Sequence, residues 1–466
     1  MTYQTRCQQM LQDGRSVADV ALFCGEEAPN SLKEVEKVPK GYGFDGCAAA
    51  AVKAMRVERG ELVLPSGMRY RMLALPESRR MSISMLEKIG SLVADGATVV
   101  GRKPEKSIGL AEGADADGRV KSRAAEIWER GVLEMSVEEA LRKKGIQPDF
   151  VCPQNGINSI HRKYDGGADA YFVAWQGTTG ATVRCSFRQE GRVPELWNPE
   201  TGATADASEW KMRDGRTDVT LDFEPSGSVF VVFRRPANGV TGASRRTRQK
   251  TLQEQPLTGG WDVTFPSGWG APEKIHLDSL CSWTDVPDDG VRYFSGTATY
   301  KEAFELRMFE WLSLSNNVRI ILDLGDVREF AEVTVNGVAY PILWKPPFRL
   351  DITDAVGGPR VVAAMDGTTP VPPAWNVSIK VTNLWVNRLI GDEHLPPDRE
   401  WMPGRKCLRK FPDWVKQGDR SPTGRFTFTT WHHWTKDDKP VPSGLLGPVV
   451  LRVVQDSAEG DSQSGL

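Results

Sequence analysis

Asp169-Ala-Tyr-Phe-Val-Ala-Trp-Gln-Gly-Thr-Thr-Gly-Ala-Thr-Val-Arg-Cys-Ser-Phe187 sets two short runs rich in β-branched and aromatic residues on either side of a Gly-containing turn. Thr217-Asp-Val-Thr-Leu-Asp-Phe223 and Ser228-Val-Phe-Val-Val-Phe233 repeat the texture. Period-2 patterning broken by turns at this spacing predicts a β-sandwich over residues 149–240. Upstream the period changes. Ser82 to Asp95 puts Ile83, Leu86, Ile89, Leu92 and Val93 on one helical face, and Gly96 supplies the stop. The apolar runs Val17–Cys24, Tyr70–Pro76 and Thr98–Gly101 read as strands around it. Strand, helix and strand in that order predict an open α/β domain over residues 1–148.

Downstream, residues 256–454 are β-rich again. Val318–Leu324, Ala331–Val335, Val377–Val381, Gly424–Thr430 and Val449–Val454 read as strands, and Asn336-Gly337 is a strong hairpin signal. About 200 residues exceed one simple sandwich, which predicts a decorated jelly roll with long loops. Residues 241–255 are polar and basic and read as a solvated linker. Residues 455–466 read as a disordered tail. The expected fold is therefore multidomain, α/β plus all-β.

Composition narrows the function. The chain has 466 residues, 59 Lys+Arg against 61 Asp+Glu, and a formal net charge of −2. That balance lacks the basic footprint of a nucleic-acid binder. No run approaches the roughly 18 apolar residues that span a bilayer, and residues 1–14 lack the apolar core of a secretory signal. The seven Cys are scattered singly, which suits structural thiols better than a disulfide framework or zinc site. Fourteen of the 15 Trp follow residue 170. Flat aromatic faces beside Asn, Asp and Arg can stack on and orient sugar rings, and they also build sandwich cores.

Few motifs carry chemistry. Gly41-Tyr-Gly43-Phe-Asp-Gly46 matches the dinucleotide fingerprint in letters, but Lys33 to Lys40 before it is charged and interrupted by Pro39. A fingerprint needs a strand feeding straight into the glycine turn, so no cofactor is expected. Cys24 ends a strand-like run, yet residues 1–160 contain no His to act as its base. His432-His433 reads as a buried or surface pair rather than a metal site. The carboxylate pairs Glu26-Glu27, Asp392-Glu393 and Asp398-Arg-Glu400 are too ordinary to define a glycosidase geometry alone.

Longer stretches are more specific. Gly325-Asp-Val-Arg-Glu-Phe-Ala-Glu-Val-Thr-Val-Asn-Gly337, Leu343-Trp-Lys-Pro-Pro-Phe-Arg-Leu-Asp-Ile-Thr-Asp354, Val381-Thr-Asn-Leu-Trp-Val-Asn-Arg-Leu-Ile-Gly-Asp-Glu393 and Ser443-Gly-Leu-Leu-Gly-Pro-Val-Val-Leu451 resemble the sugar-binding-type jelly roll of large bacterial glycoside hydrolases. The resemblance is to the α-L-rhamnosidase-like group, glycoside hydrolase family 106. Arg6–Val20, Gly25–Asn30, Ile160–Val173 and Gly191–Gly202 are similar to its other post-barrel segments. Gly358–Trp375 departs, being longer and less regular than the group's hairpin there.

The resemblance implies an accessory α/β domain of flavodoxin or glutamine-amidotransferase type, then a β-sandwich and a galactose-binding-like jelly roll. It places the catalytic carboxylates in an upstream (β/α)₈ barrel, so no catalytic residue carries over. It implies rhamnose-containing glycans as substrate, a barrel supplied upstream or in trans, and a periplasmic or secreted location. A structural calcium ion is compatible with it, without assigned ligands. Candidate substrate contacts are Glu26 and Asn30 beside the barrel, and His161 and Arg162 ahead of a sandwich strand. A loop-like stretch adds Trp385, Asn387, Arg388, Asp392 and Glu393. A stand-alone, non-catalytic carbohydrate-binding protein is the alternative.

Overall fold

Val20–Phe23 is a four-residue strand buried along its whole length, and its neighbours on both sides run parallel to it. Phe44–Cys47, Val20–Phe23, Met72–Ala74 and Val99–Val100 form one sheet in that order. Side-chain alternation sends Ala21 and Phe23 into a core with the helices Ile83–Ala94 and Ala116–Glu129. Val20 and Leu22 go the other way, into a core with the helix Val137–Lys143. Helices on both faces explain why these strands are apolar throughout rather than alternating. Phe44–Cys47 runs through the second half of the Gly41–Gly46 motif, so no strand feeds its glycines in the manner of a dinucleotide site.

The computed structural model describes residues 2–28, 32, 37–109, 113, 115–243, 247–304, 318–356 and 375–458. The chain divides into two compact units, Met1–Ser244 and Arg245–Leu466. No described helix is long and apolar enough to cross a membrane.

In the first unit the α/β layer is joined by two antiparallel sheets of six and five strands. Tyr171, Val173, Val231 and Phe233 from one meet Val183, Cys185, Phe187 and Val219 from the other in a common core. Residues 2–16 lie with this part rather than with the α/β layer. Cys7 of the helix Thr2–Gln12 packs against Ala170, Phe230 and Val232, and Arg15–Ser16 pairs with residues 162–163 as an edge strand. The helix follows the apolar face offered by the sheet, a contact no local pattern announces.

In the second unit, sheets of four and six strands enclose a larger core. Ile320, Leu322, Leu451 and Val453 on one side face Val263, Tyr300, Val333 and Ile379 on the other. Asn336 (φ 49°) and Gly337 (φ 85°) form the expected tight hairpin, with Val335 paired to Val338.

Three expectations need correction. Thr241–Ala243 and Thr247–Pro256 are strands, not linker, and the second pairs with Val450–Ala458 at the edge of a sheet. Edge strands carry charge to discourage association, and that charge reads locally as a linker. Residues 455–458 belong to the same ladder rather than to a frayed tail. Gly424–Thr430 is not a strand, because the backbone N–H groups of Phe426 and Thr427 go to the Asp392 carboxylate instead of a ladder. Gly358 to Ala374 lies outside the described residues.

Candidate functional site

The strand Trp375–Thr382 runs into a sharp turn and then the helix Val386–Asp392. The turn is stapled from outside. Asn383 Oδ1 accepts from the Gly296 N–H (2.9 Å), and its Nδ2 donates to the Phe294 carbonyl (2.9 Å). Ser295 Oγ donates to the Leu384 carbonyl and accepts the Arg388 N–H, at 2.9 and 3.1 Å. What reads as a loop is therefore a short helix, and its seven residues set Arg388 and Asp392 four apart on one face.

Each candidate there has a defined environment. Asn387 is fully buried; its Nδ2 donates to the Val441 carbonyl and Ser443 Oγ (2.8 and 2.7 Å), and its Oδ1 accepts the Val441 N–H (2.8 Å). All its bonding capacity is directed to that chain segment. It therefore ties residues 441–443 to the helix. Asp392 Oδ2 accepts from Phe426 N–H, Thr427 N–H and Thr427 Oγ1 at 2.9, 2.7 and 2.7 Å. Glu393 Oε1 accepts from Arg425 Nη1 (2.7 Å), and Oε2 lies 3.2 Å from His432 Nε2. The His432 ring stacks on Trp401 at 5.0 Å. A small recess beside Glu393 and His432 is lined by Thr427, Trp431 and Trp434.

Trp385 behaves differently. It is 54% exposed, and its ring lies 5.9 Å from that of Trp269. Trp269 in turn stacks near-parallel to Phe426 at 6.1 Å. These three rings sit beside the buried Arg388, whose Cζ lies 4.6 Å from the Phe426 ring centroid. Trp269 and Phe426 are absent from the sequence-based candidates. Trp269 is half-buried and packs on the core of this unit, and the Gly268-Trp269-Gly270 sequence, an aromatic between two glycines, is the one local sign of a ring in a turn.

In the first unit, His161 is in the strand Ile157–Lys163, not ahead of one. It points inward with Ile157, four residues back on the same face of the pleat. Nδ1 lies 3.0 Å from Asp149 Oδ2 and Nε2 3.0 Å from Asp169 Oδ1. The ring stacks on Tyr171, its cross-strand neighbour, at 3.8 Å. Burial pulls the imidazole pKa down, but the two carboxylates outweigh it and hold the group above its ordinary value. Burial alone would raise Asp149, yet His161 and Arg188 hold it below. Both ring nitrogens therefore face carboxylates of this unit.

Arg162 faces outward, and its guanidinium donates to the carbonyls of Gln12, Asp13 and Gly14 at 2.8–3.1 Å. It fastens the N-terminal helix to its neighbour strand. Glu26 accepts from Ser82 N–H (2.9 Å) and Ser82 Oγ (2.7 Å), at the N-cap of the helix Ile83–Ala94. An anion there is favoured by the helix dipole, so the contact is structural. Asn30 lies outside the described residues. Among the described residues, no group of three or more His, Cys, Asp or Glu side chains is placed to hold a metal ion.

The β-rich architecture and its aromatic-lined site agree with comparisons that place the chain among glycoside hydrolases. Residues 1–211 match the Glyco_hydro_106 model, described as alpha-L-rhamnosidase. The structure of the rhamnosidase from Novosphingobium sp. PP1Y is similar with a TM-score of 0.72 and 31% identity, over 97% of this chain and 40% of that one. A relative from Formosa agariphila, provisionally named a beta-glucuronidase, is 26% identical over 98% of this chain and 57% of its own length. The likeness is thus to the α-L-rhamnosidase group of glycoside hydrolases, carried by residues 1–211 in the family model and by nearly the whole chain in the structure. The chain spans about half the length of these relatives.

Proposed function

We propose that this chain is an accessory and carbohydrate-binding region of a glycoside hydrolase that acts on rhamnose-containing glycans. The observation that carries the reading is similarity along 97% of the chain to a rhamnosidase of which it covers 40%. In this reading the catalytic carboxylates sit on a (β/α)₈ barrel supplied upstream or in trans. The four-stranded parallel sheet with helices on both faces supports a flavodoxin-like accessory domain within residues 1–148. The paired sheets of 149–240 and 256–454, each pair over one apolar core, support a β-sandwich and a galactose-binding-like jelly roll.

Glycosidic hydrolysis needs two carboxyl groups held either about 5–5.5 Å or about 6.5–9.5 Å apart across the bond, one of them kept protonated. The carboxylates described above are each engaged elsewhere. Glu26 caps a helix, Asp392 binds backbone N–H groups, and Glu393 pairs with Arg425. The expected result is no turnover of an aryl α-L-rhamnoside by the purified chain, and turnover when a separately expressed family barrel is added. Turnover by the chain alone, lost on Glu26→Gln or Asp392→Asn, would overturn the accessory role.

A further inference from the structure

Arg388 is the least satisfied charged group of the second unit's helix Val386–Asp392. Its side chain is 6% exposed, and Nη1 reaches Asp392 Oδ1 only at 3.8 Å. Nε and Nη2 are buried with no hydrogen-bond partner. Leaving buried donors of a charged group unmatched costs more than leaving those of a neutral group. Burial accordingly pulls the guanidinium pKa down, and Asp392 alone pulls it back.

The identity of the two idle nitrogens is informative. Nε–H and Nη2–H are the parallel donors of the side-on fork, whose spacing matches the two oxygens of a carboxylate. Asp392 does not use this edge, and its own Oδ2 is occupied by Phe426 and Thr427. The Phe426 ring covers the guanidinium face, and it is itself 39% exposed. The backbone comes in beside both groups at Gly270 (φ +88°). A Cβ there would stand 3.3 Å from the Phe426 ring and 3.8 Å from Nη2. Trp269 and the exposed Trp385 continue the aromatic surface outward. A charged guanidinium thus sits under a partly exposed ring at the margin of a stacking face.

We propose that this face binds an acidic sugar unit, its ring stacked on Trp385 and its carboxylate received by Arg388 Nε and Nη2 as Phe426 turns aside. The inference rests on the carbohydrate-binding reading above and adds the class of sugar. The Phe426 main chain is fixed by its N–H bond to Asp392, so the rotation involves the side chain alone. Ligand binding would satisfy two donors that are idle in the free protein, and charge-assisted bonds of this kind are the strong ones.

The test is calorimetric titration of the full chain with three probes: tetragalacturonate, its fully methyl-esterified form, and a neutral rhamno-oligosaccharide. Tetragalacturonate should bind at least about tenfold more tightly than the ester, since one charge-assisted bond is worth that factor. Trp385→Ala should weaken binding without lowering the melting temperature. Arg388→Lys, which keeps the charge and removes the fork, should abolish the preference for the acid. The ester comparison decides the matter even if Arg388→Lys fails to fold. Equal affinity for acid and ester, or acid binding indifferent to Trp385→Ala, overturns the proposal. Binding of the neutral probe alone does so too, and leaves the carbohydrate-binding reading standing. Binding of none of the three overturns both.

Discussion

His161 Nδ1 lies 3.0 Å from Asp149 Oδ2 in the interior of the first unit, and Nε2 lies the same distance from Asp169. With both ring nitrogens facing carboxylates, the charged imidazolium is the form that donates to each. Arg188 extends the network, its Nη2 lying 3.2 Å from Asp149 and 2.9 Å from Asp19. Asp19 stands beside the α/β strand Val20–Phe23, so the network ties that layer to the two-sheet part. Tyr171 donates its hydroxyl to Asp149 at 3.0 Å.

A pH dependence follows from this pairing. The folded pKa of His161 is raised, so its stabilisation is fully present below the ordinary value near 6.5 and is lost as pH rises through the folded value. Asp149 is lowered, so its share is present above the ordinary carboxylate range and is lost as pH falls through the folded value. Thermal unfolding of the first unit should therefore weaken on the alkaline side above about pH 6.5. His161→Gln should remove that slope. An identical alkaline slope in the variant would assign it to other groups.

Removing the imidazole altogether should be costly. His161→Ala leaves Asp149 and Asp169 buried with Arg188, Arg192 and the Tyr171 hydroxyl as their remaining side-chain partners. Breaking a buried pair in this way costs about 3–5 kcal/mol. Denaturant unfolding should show that loss, whereas a surface histidine would show almost none.

Glu26→Ala should destabilise the start of the helix Ile83–Ala94 by about 1 kcal/mol, the usual net worth of a hydrogen bond. It removes both bonds to Ser82 while Ser82 still caps the Met85 N–H at 3.1 Å. Saccharide affinity in the same variant should be unchanged. A fall in affinity at constant melting temperature would return Glu26 to the ligand contacts.

Asn387→Ala should cost about 2–3 kcal/mol, because the Val441 carbonyl and N–H and the Ser443 hydroxyl lose a buried partner together. Hydrogen exchange should quicken at Val441 before the neighbouring strand Gly444–Gly447 opens. Unchanged protection at that amide would argue against the stapling role.

Two glycines of the second unit form a controlled pair. Gly444 (φ +96°) would place a Cβ 2.7 Å from both Trp283 Nε1 and Tyr300 Oη, which are themselves hydrogen-bonded in the core. Gly337 (φ +85°) has open space around it. Gly337→Ala should cost only the left-handed backbone penalty, about 1–2 kcal/mol. Gly444→Ala adds overpacking, typically about 1–3 kcal/mol more. Equal losses on thermal denaturation would refute the steric account.

The sequence by itself determined the elements whose reasons are local. Asp169–Trp175 and Ala181–Phe187 run between the residues their composition indicates, and Ser82 and the apolar spacing behind it start and align one helix. Asn336-Gly337 sets its own hairpin because both residues tolerate positive φ. Tertiary structure alone decided the rest. His161 reads as a candidate substrate contact ahead of a strand, and only the ladder that turns it inward sets it between Asp149 and Asp169. The 424–430 stretch has strand-like composition, but a carboxylate 34 residues earlier takes the N–H of Phe426. Thr247–Pro256 becomes a strand because Val450–Ala458 offers it an edge, about two hundred residues away in the chain. Periodicity records which face of an element is apolar. It does not record which distant group will meet that face, and here those meetings decide whether a charged side chain is a staple or a free donor.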